Sequence, residues 1–360
     1  KSIKKNDEVL VINTRQNSYT NQHEPNRIIY SLSQELSDKK HVVIEQEMHA
    51  MKFTSIVFEN GKKINIREEN YRNINDLESV YLVNEKYPIV NNNISPQLRA
   101  FVASREGFIF QALLLEDDLE IVFKENLIFL ANFKYSLSDN FDLLYIPPRD
   151  TYPNQVRSDV KKYLNNFDNG VVLGRMEMNY FTSFNTSHFI RLSAGIFEEM
   201  FGGIGAEYLY YPQGSIFSFG FETFYLKKRS YDMKLDFQDY ENTLSRISFN
   251  VMEPYLGLSF KTSFGEYIAG DKGFTFEIGR RFDNGISFSA FFSRTNVPEH
   301  LYGEGSFDKG FKMVIPFSFF NLSGEQNLSK FVWRPLTKDP ASLVIKSIDL
   351  QENSERFRVY

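Results

Sequence analysis

Chemistry in this sequence would have to come from its carboxylates, its five histidines and one glycine-rich stretch. His23, His41, His49, His188 and His300 show no metal-binding spacing such as HExxH, so no metal site is expected. Paired acids occur at Asp117-Asp118 and Glu198-Glu199. Neighbours on a strand point to opposite faces, which denies such pairs a shared general acid/base role. Neither GxSxG nor a P-loop is present, and no Ser-His-Asp set stands out. Residues 303–310 read Gly303-Glu304-Gly305-Ser306-Phe307-Asp308-Lys309-Gly310. Their glycines admit close backbone approach, and Glu304, Asp308 and Lys309 bring charge, which is the make-up of a ligand loop. The plainer reading, which we prefer, is a turn leading into the last strand. No catalytic residue, cofactor or metal is therefore expected, and the chain reads as non-enzymatic.

The elements that would position such residues are strands, and the stretch 267–320 organises them. Phe274, Phe276 and Ile278 alternate with Thr275, Glu277 and Gly279, and the pattern runs on through Arg281 to Phe282. That is a strand with two chemically different faces. Asp283-Asn284-Gly285 then forms a loop whose glycine supplies a positive φ. A three-residue loop predicts that Phe282 faces Ile286, Arg281 faces Ser287, Gly279 faces Ser289, Ile278 faces Ala290 and Phe276 faces Phe292. A two-residue Asn-Gly loop would set Phe282 against Ser287 and scramble both faces, because a one-residue slip inverts a strand. Phe291 is the main exception on the polar face. Each arm has about nine residues, near the roughly 9 to 11 that a tilted strand needs to cross a hydrocarbon core. Alternation alone leaves two readings open, a membrane barrel and a soluble β-sandwich.

Composition narrows the classes. The 360 residues carry 41 basic and 46 acidic side chains for a net charge of −5, without a basic block, so nucleic acid is not an expected partner. There is no cysteine, which removes disulfides and thiolate metal sites. Phe (36) and Tyr (20) far outnumber the single Trp, favouring strands and suiting apolar walls and aromatic girdles. Mean hydropathy is −0.36, as expected when half of each strand is polar. No apolar run reaches about 18 residues, so a membrane could be spanned only by a barrel. The chain opens at Lys1 with neither initiator Met nor a signal-peptide core, which suggests a processed or truncated start.

Taken in order, residues 1–95 read as a small α/β domain. Strands are expected at 9–12 and 42–44, a helix at 26–36, a hairpin over 53–58 and 63–66 around Asn60-Gly61, and a second short helix at 75–83. Asn91-Asn92-Asn93-Ile94-Ser95-Pro96 has the composition of a linker. Beyond it the chain is strand-rich, with candidates at 108–123, 127–137, 171–184, 188–197, 203–211, 216–227, 235–237, 244–252, 255–264, the hairpin and 309–319. Residues 138–170 read as a long loop with one helical turn near Val160. The total is about ten to twelve antiparallel strands. Residues 321–360 hold one more apolar segment, 342–348, a possible last strand.

Four motifs carry a resemblance: Asp271-Lys272-Gly273, Arg280-Arg281-Phe282-Asp283-Asn284-Gly285, residues 303–310, and Trp333-Arg334-Pro335-Leu336-Thr337. In this order and spacing the chain resembles the YjbH-like family of Gram-negative outer-membrane proteins associated with exopolysaccharide and group 4 capsule production. Supporting matches are Ser95-Pro96-Gln97-Leu98-Arg99, Val156-Arg157-Ser158-Asp159, Phe201-Gly202-Gly203-Ile204-Gly205, and Arg229 followed by Asp239-Tyr240. The resemblance covers about residues 95–340 and implies a mainly β fold: an antiparallel outer-membrane β-barrel, or half of a larger one, over 96–320. The small α/β domain at 1–95 would lie in the periplasm, and 321–360 would be a C-terminal segment. The Phe-rich face would meet lipid, and Glu207, Glu222, Glu277 and Arg281 would project into a polar lumen as candidate polysaccharide contacts. Glu277 and Arg281 would meet the polymer or pair with each other, and Asp308 and Lys309 would bond to the barrel wall.

The implied function is a component of exopolysaccharide or capsule secretion. Its partners would be outer-membrane lipid, the polymer and other export proteins. A polysaccharide-modifying hydrolase and a soluble β-rich carbohydrate-binding module are the alternatives.

Overall fold

The computed structural model describes residues 2–5, 9–14, 23–36, 41–59, 62–64, 78–82, 85–102, 109–143, 154–282, 286–302, 307–316, 328–333 and 339–356. They form two sheets. The smaller contains β1 (Ser2–Lys5), β2 (Val9–Thr14), β3 (His41–Met48), β4 (Met51–Glu59), β5 (Lys62–Ile64) and β6 (Glu78–Leu82), in the order β5-β4-β3-β2-β1-β6. The β2–β3 pair is parallel and so needs a crossover, which α1 (His23–Leu36) supplies. Unbroken apolar runs follow from burial on both faces: Val9, Val43 and Val57 pack on one side, Leu10, Val42 and Ile44 on the other beneath Ile29 and Tyr30 of α1.

The expected helix at 75–83 is instead strand β6, which pairs with β1. An open sheet edge offers its backbone a ladder, and that outweighs weak helical spacing. The turn at Asn60-Gly61 lies outside the described residues, but β4 and β5 pair antiparallel as expected.

The larger sheet has 13 strands in strictly sequential order. They are β7 (Ile89–Val102), β8 (Ile109–Lys124), β9 (Leu127–Asp139), β10 (Val172–Ser183), β11 (His188–Ile196), β12 (Phe201–Tyr210) and β13 (Phe217–Arg229), then β14 (Phe237–Glu253), β15 (Leu258–Glu266), β16 (Lys272–Arg281), β17 (Ser287–Thr295), β18 (Asp308–Pro316) and β19 (Leu328–Trp333). Every pairing is antiparallel, and among the described residues β7 and β19 are the two edges. In the organising hairpin the register is the one the alternation requires: Phe276 faces Phe292, Ile278 faces Ala290, Gly279 faces Ser289 and Arg281 faces Ser287. The Phe282 N–H donates to Ile286 O at 2.8 Å, while the loop 283–285 lies outside the described residues.

Three expectations are corrected. The supposed linker at 91–96 is the middle of β7, where the Asn91 amide bonds the Glu120 carboxylate at 2.9 Å. Pro96 is tolerated because an edge strand leaves one side of its backbone unpaired. The candidates at 235–237 and 244–252 are one strand, β14, whose polar middle pairs with β13: Lys227 faces Glu241, and the Tyr225 hydroxyl donates to Glu241 at 2.6 Å. Last, the apolar segment 342–348 is not a strand. Among the described residues the final strand is β19, so β18, which Asp308 opens, is the penultimate one.

The sheet's polarity is inverted relative to a soluble sheet. Every strand from β7 to β18 exposes at least one large apolar side chain, among them Leu98, Tyr135, Leu192, Phe221, Phe249 and Phe292. The opposite face is buried and largely polar, with Asn132, Glu177, Asn179, Arg191, Glu207, Arg246 and Asn250. One apolar cluster draws on Phe110 and Leu114 of β8 and on Phe224 and Leu244 of β13 and β14, so the sheet curls around its polar face.

Candidate functional site

The polar face is closed at both ends. At one end the tip of the β3–β4 hairpin enters it: Met51 and Phe53 pack with Val122, Ile128, Phe181, Phe189 and Leu209, and Phe53 stacks on Phe189 at 4.9 Å. His49 stacks on Phe181 at 4.8 Å, a packing role. At the other end the described parts of the connection between β9 and β10, residues 140–143 and 154–171, fold inward. Their short helix α2 (Val160–Leu164) and Phe141, Val156, Tyr163 and Phe167 fill the space against Phe224, Leu226 and Ile268.

Between these caps lies a row of charge fixed by the register. Arg191 faces Glu207, Glu207 faces Glu222, and Glu222 faces Arg246, across four adjacent strands. Arg191 Nη1 donates to Glu207 at 2.5 Å and Nε to Asn179 at 2.9 Å, and Arg246 Nε stands 3.6 Å from Glu222. Like charges directly opposite destabilise a sheet. Here a cation bridges them: Lys346 Nζ reaches Glu207 at 2.5 Å, Glu222 at 2.9 Å and Asp349 at 3.1 Å. Burial opposes the ammonium charge, but Asp349, Glu207 and Glu222 together raise its pKa well above the ordinary value.

Lys346 belongs to residues 339–356, which run the length of the polar face. At the long-loop end Asp339 Oδ1 accepts the N–H groups of Val156, Arg157 and Ser158 at 2.7, 2.6 and 2.9 Å. The Ala341 N–H donates to Asp271 at 2.8 Å, and the Ile268 N–H to Ser342 O at 3.0 Å. Arg157 makes a two-pronged bond to Glu198 at 2.8 and 2.7 Å and reaches Leu343 O at 2.8 Å. Further along, Arg191 donates to Ile348 O at 2.8 Å and to Ser347 Oγ at 3.2 Å. The segment finishes in α3 (Leu350–Arg356), with Leu350 in the same apolar cluster as Met51 and Phe53.

Stretches that carry the family resemblance meet at the long-loop end. Arg99 bonds Glu199 at 2.8 and 2.9 Å, and Lys134 joins it at 3.1 Å. Burial alone would raise the Glu199 pKa, but these two cations hold it down to about 2. Asp159 receives the Lys228 ammonium and the Tyr231 hydroxyl. The guanidinium of buried Arg229 binds five carbonyls, those of Leu173, Glu198, Glu199, Met233 and Lys234, at 2.5 to 3.1 Å.

Of the residues expected in a lumen, Glu207, Glu222, Glu277 and Arg281 all sit on the polar face, but they do not form one cluster. Glu207 and Glu222 are adjacent and engaged by Lys346. Glu277 pairs with Lys312 at 2.6 Å and Ser289 at 2.7 Å, not with Arg281. Glu277 and Arg281 lie four residues apart on one strand, about 13 Å between their Cα atoms. Glu198 and Glu199 occupy the turn between β11 and β12 rather than a strand, and each is taken up by its own basic partners. In the glycine-rich stretch, Gly303, Glu304, Gly305 and Ser306 lie outside the described residues. Asp308, Lys309 and Gly310 open β18, Asp308 is buried, and Lys309 stands 4.9 Å over the Phe307 ring. Arg191, Asp339 and Lys346 escaped sequence reasoning, and Arg157 entered it only within a family motif. Alternation with Leu192 marks Arg191 as polar-facing, and a lone lysine in the apolar run 342–348 was the available signal for Lys346.

These features define a class: a curved antiparallel wall, apolar outside and polar inside, whose interior is threaded by its own C-terminal segment. The chain belongs to the YjbH family, described as "Exopolysaccharide biosynthesis protein YbjH", whose profile matches residues 7–354. It is similar to the protein named "Uncharacterized lipoprotein YjbH" of Escherichia coli (strain K12), with 31% identity over 258 residues, covering 69% of this chain and 36% of that protein. The chain therefore spans about a third of the length of this curated relative.

Proposed function

We propose that the 13-stranded sheet is the wall of an outer-membrane β-barrel that serves exopolysaccharide or capsule secretion without catalysing a reaction. The inverted polarity carries this reading. Water would not favour a continuous apolar surface across twelve strands, whereas lipid requires it, and strands of 9 to 17 residues in β7–β18 are long enough to cross. The relative's description as a lipoprotein agrees with an envelope location.

Orientation follows from the connections. The α/β domain precedes β7 at the end where turns are short, such as residues 125–126 and 184–187, and the 140–171 loop lies at the other end. Outer-membrane barrels carry short turns on the periplasmic side and longer loops outside. The α/β domain is thus periplasmic, available to dock other export proteins, and the polymer passes or is positioned along the polar face. Glu207 and Glu222 are the closest approach to a paired-acid hydrolase, but both are engaged by Lys346, so the geometry favours a non-catalytic wall.

The test is fractionation of the intact protein followed by gel mobility with and without heating. A membrane-bound, compact and heat-sensitive species is expected. Recovery in the soluble periplasmic fraction would contradict the reading and favour a carbohydrate-binding module.

A further inference from the structure

We propose that residues 339–356 are a gating strap, latched by Lys346, that closes the polar passage in cis and must withdraw before a hydrophilic chain can pass. The inference rests on the membrane-wall reading above and adds to it a closed state and a means of opening.

The segment spans the passage from cap to cap, from Asp339 beneath the 156–158 backbone to Leu350 beside Met51 and Phe53. Its attachment differs in kind from that of a strand. Apart from the bond from Ile268 N–H to Ser342 O, its described ties to the wall run through side chains: Arg157 to Leu343 O, Arg175 to Ile345 O at 3.2 Å, Arg191 to Ile348 O, Ser218 to Gln351 at 3.0 Å, and Lys346 to Glu207 and Glu222. Side chains can rehydrate one at a time, whereas leaving a sheet would break a backbone ladder together.

The wall row of Arg191, Glu207, Glu222 and Arg246 holds two arginines and two glutamates and so carries no net charge of its own, with or without Lys346. Residues 339–356 carry two basic and four acidic side chains, a polar segment that water can take up once it withdraws. The far end of the strap shares an apolar core with the α/β domain. Displacing that domain therefore loosens the seat of Leu350, which gives a partner on the periplasmic side a way to release the strap.

These 360 residues hold no cysteine, so S218C and Q351C are the only thiols within them, and any cysteine elsewhere in the intact protein is first replaced by serine. The intact protein carrying this pair is linked with a reducible bis-methanethiosulfonate reagent, reconstituted in planar bilayers, and recorded before and after reductant. Linked protein is expected to be silent and reduced protein to conduct intermittently, and Lys346→Gln to increase the open fraction by about tenfold. Equal conductance in the linked and reduced states overturns the proposal. So does silence in every form, Lys346→Gln included, in protein whose heat-sensitive mobility shows an assembled barrel. Absence of that mobility overturns the membrane reading itself, so the two failures are told apart on the gel.

Discussion

Glu207 and Glu222 stand directly opposite each other on β12 and β13, and one ammonium, that of Lys346, reaches both at 2.5 and 2.9 Å. Two carboxylates in this relation repel, and the arginines that flank them on β11 and β14 share rather than abolish the charge. The C-terminal segment thereby becomes part of the wall's electrostatics although it contributes no strand to it.

Removing the ammonium should therefore leave the two facing carboxylates short of a shared donor. Lys346→Ala is expected to destabilise the folded protein by roughly 1 to 3 kcal/mol, the cost of those lost charge-assisted hydrogen bonds. Adding Glu222→Gln should recover part of the loss. Urea titration of the heat-sensitive species checks this, and a double variant no better than Lys346→Ala would refute the coupling.

The outward apolar face gives a second test. Phe292 is exposed on β17 and pairs with Phe276. In a lipid-facing wall, Phe292→Arg should cost about 2 to 4 kcal/mol near the bilayer midplane and reduce membrane insertion. On a water-facing sheet the same change would be close to neutral, so refolding yield in lipid vesicles discriminates the two.

Acid should loosen the long-loop end. Glu199 has an ordinary value of 4.5 and is held at about 2 in the fold. A depressed carboxyl pKa contributes stability that is fully present above the unfolded value and is lost as pH falls from about 4.5 towards 2, here up to roughly 3 kcal/mol. Glu199→Gln should flatten the stability profile in that window, and an unchanged profile would count against the Arg99–Glu199–Lys134 cluster as its source.

Arg229 should resist even conservative replacement. Its planar guanidinium serves five carbonyls contributed by β10, the β11–β12 turn and the β13–β14 turn. A lysine has three donors and a single nitrogen, so Arg229→Lys leaves at least two of these carbonyls without it, at about 1 to 3 kcal/mol for each one left unsatisfied. Loss of the compact species at lower urea is the expected readout.

Gly203 should tolerate no side chain. Its φ is +153°, and a Cβ there would come within 2.0 Å of the Tyr225 carbonyl oxygen across the β12–β13 pair. Gly203→Ala is expected to lower stability by at least about 1 to 3 kcal/mol, because that oxygen is backbone and cannot swing aside. A thermal shift of the heat-sensitive band measures it.

Much of the fold was legible because strand alternation is local. The run from Phe274 to Phe282 fixed both faces of its hairpin, and the three-residue spacing fixed its register, since a slip would have put Phe282 on the polar side. The same period set Glu222, Glu277 and Arg281 opposite the phenylalanines of their strands, and the family resemblance implied that they share a lumen with Glu207. Where the period weakens, tertiary pairing decided instead. Residues 91–96 became an edge strand, polar residues 238–243 joined two candidates into β14, and 78–82 became a strand because β1 offered it a free edge.

The sequence by itself determined the two-faced strands and the register of the hairpin around residues 283–285, because these depend on residues two or four apart. Only the tertiary structure decided what fills the polar face. Lys346 lies 139 residues from Glu207 and 124 from Glu222, and nothing in the period of either strand specifies a partner that distant. The curl of the sheet brings them within bonding distance, and so converts an apparently open row of acids into the seat of the chain's own C-terminal segment.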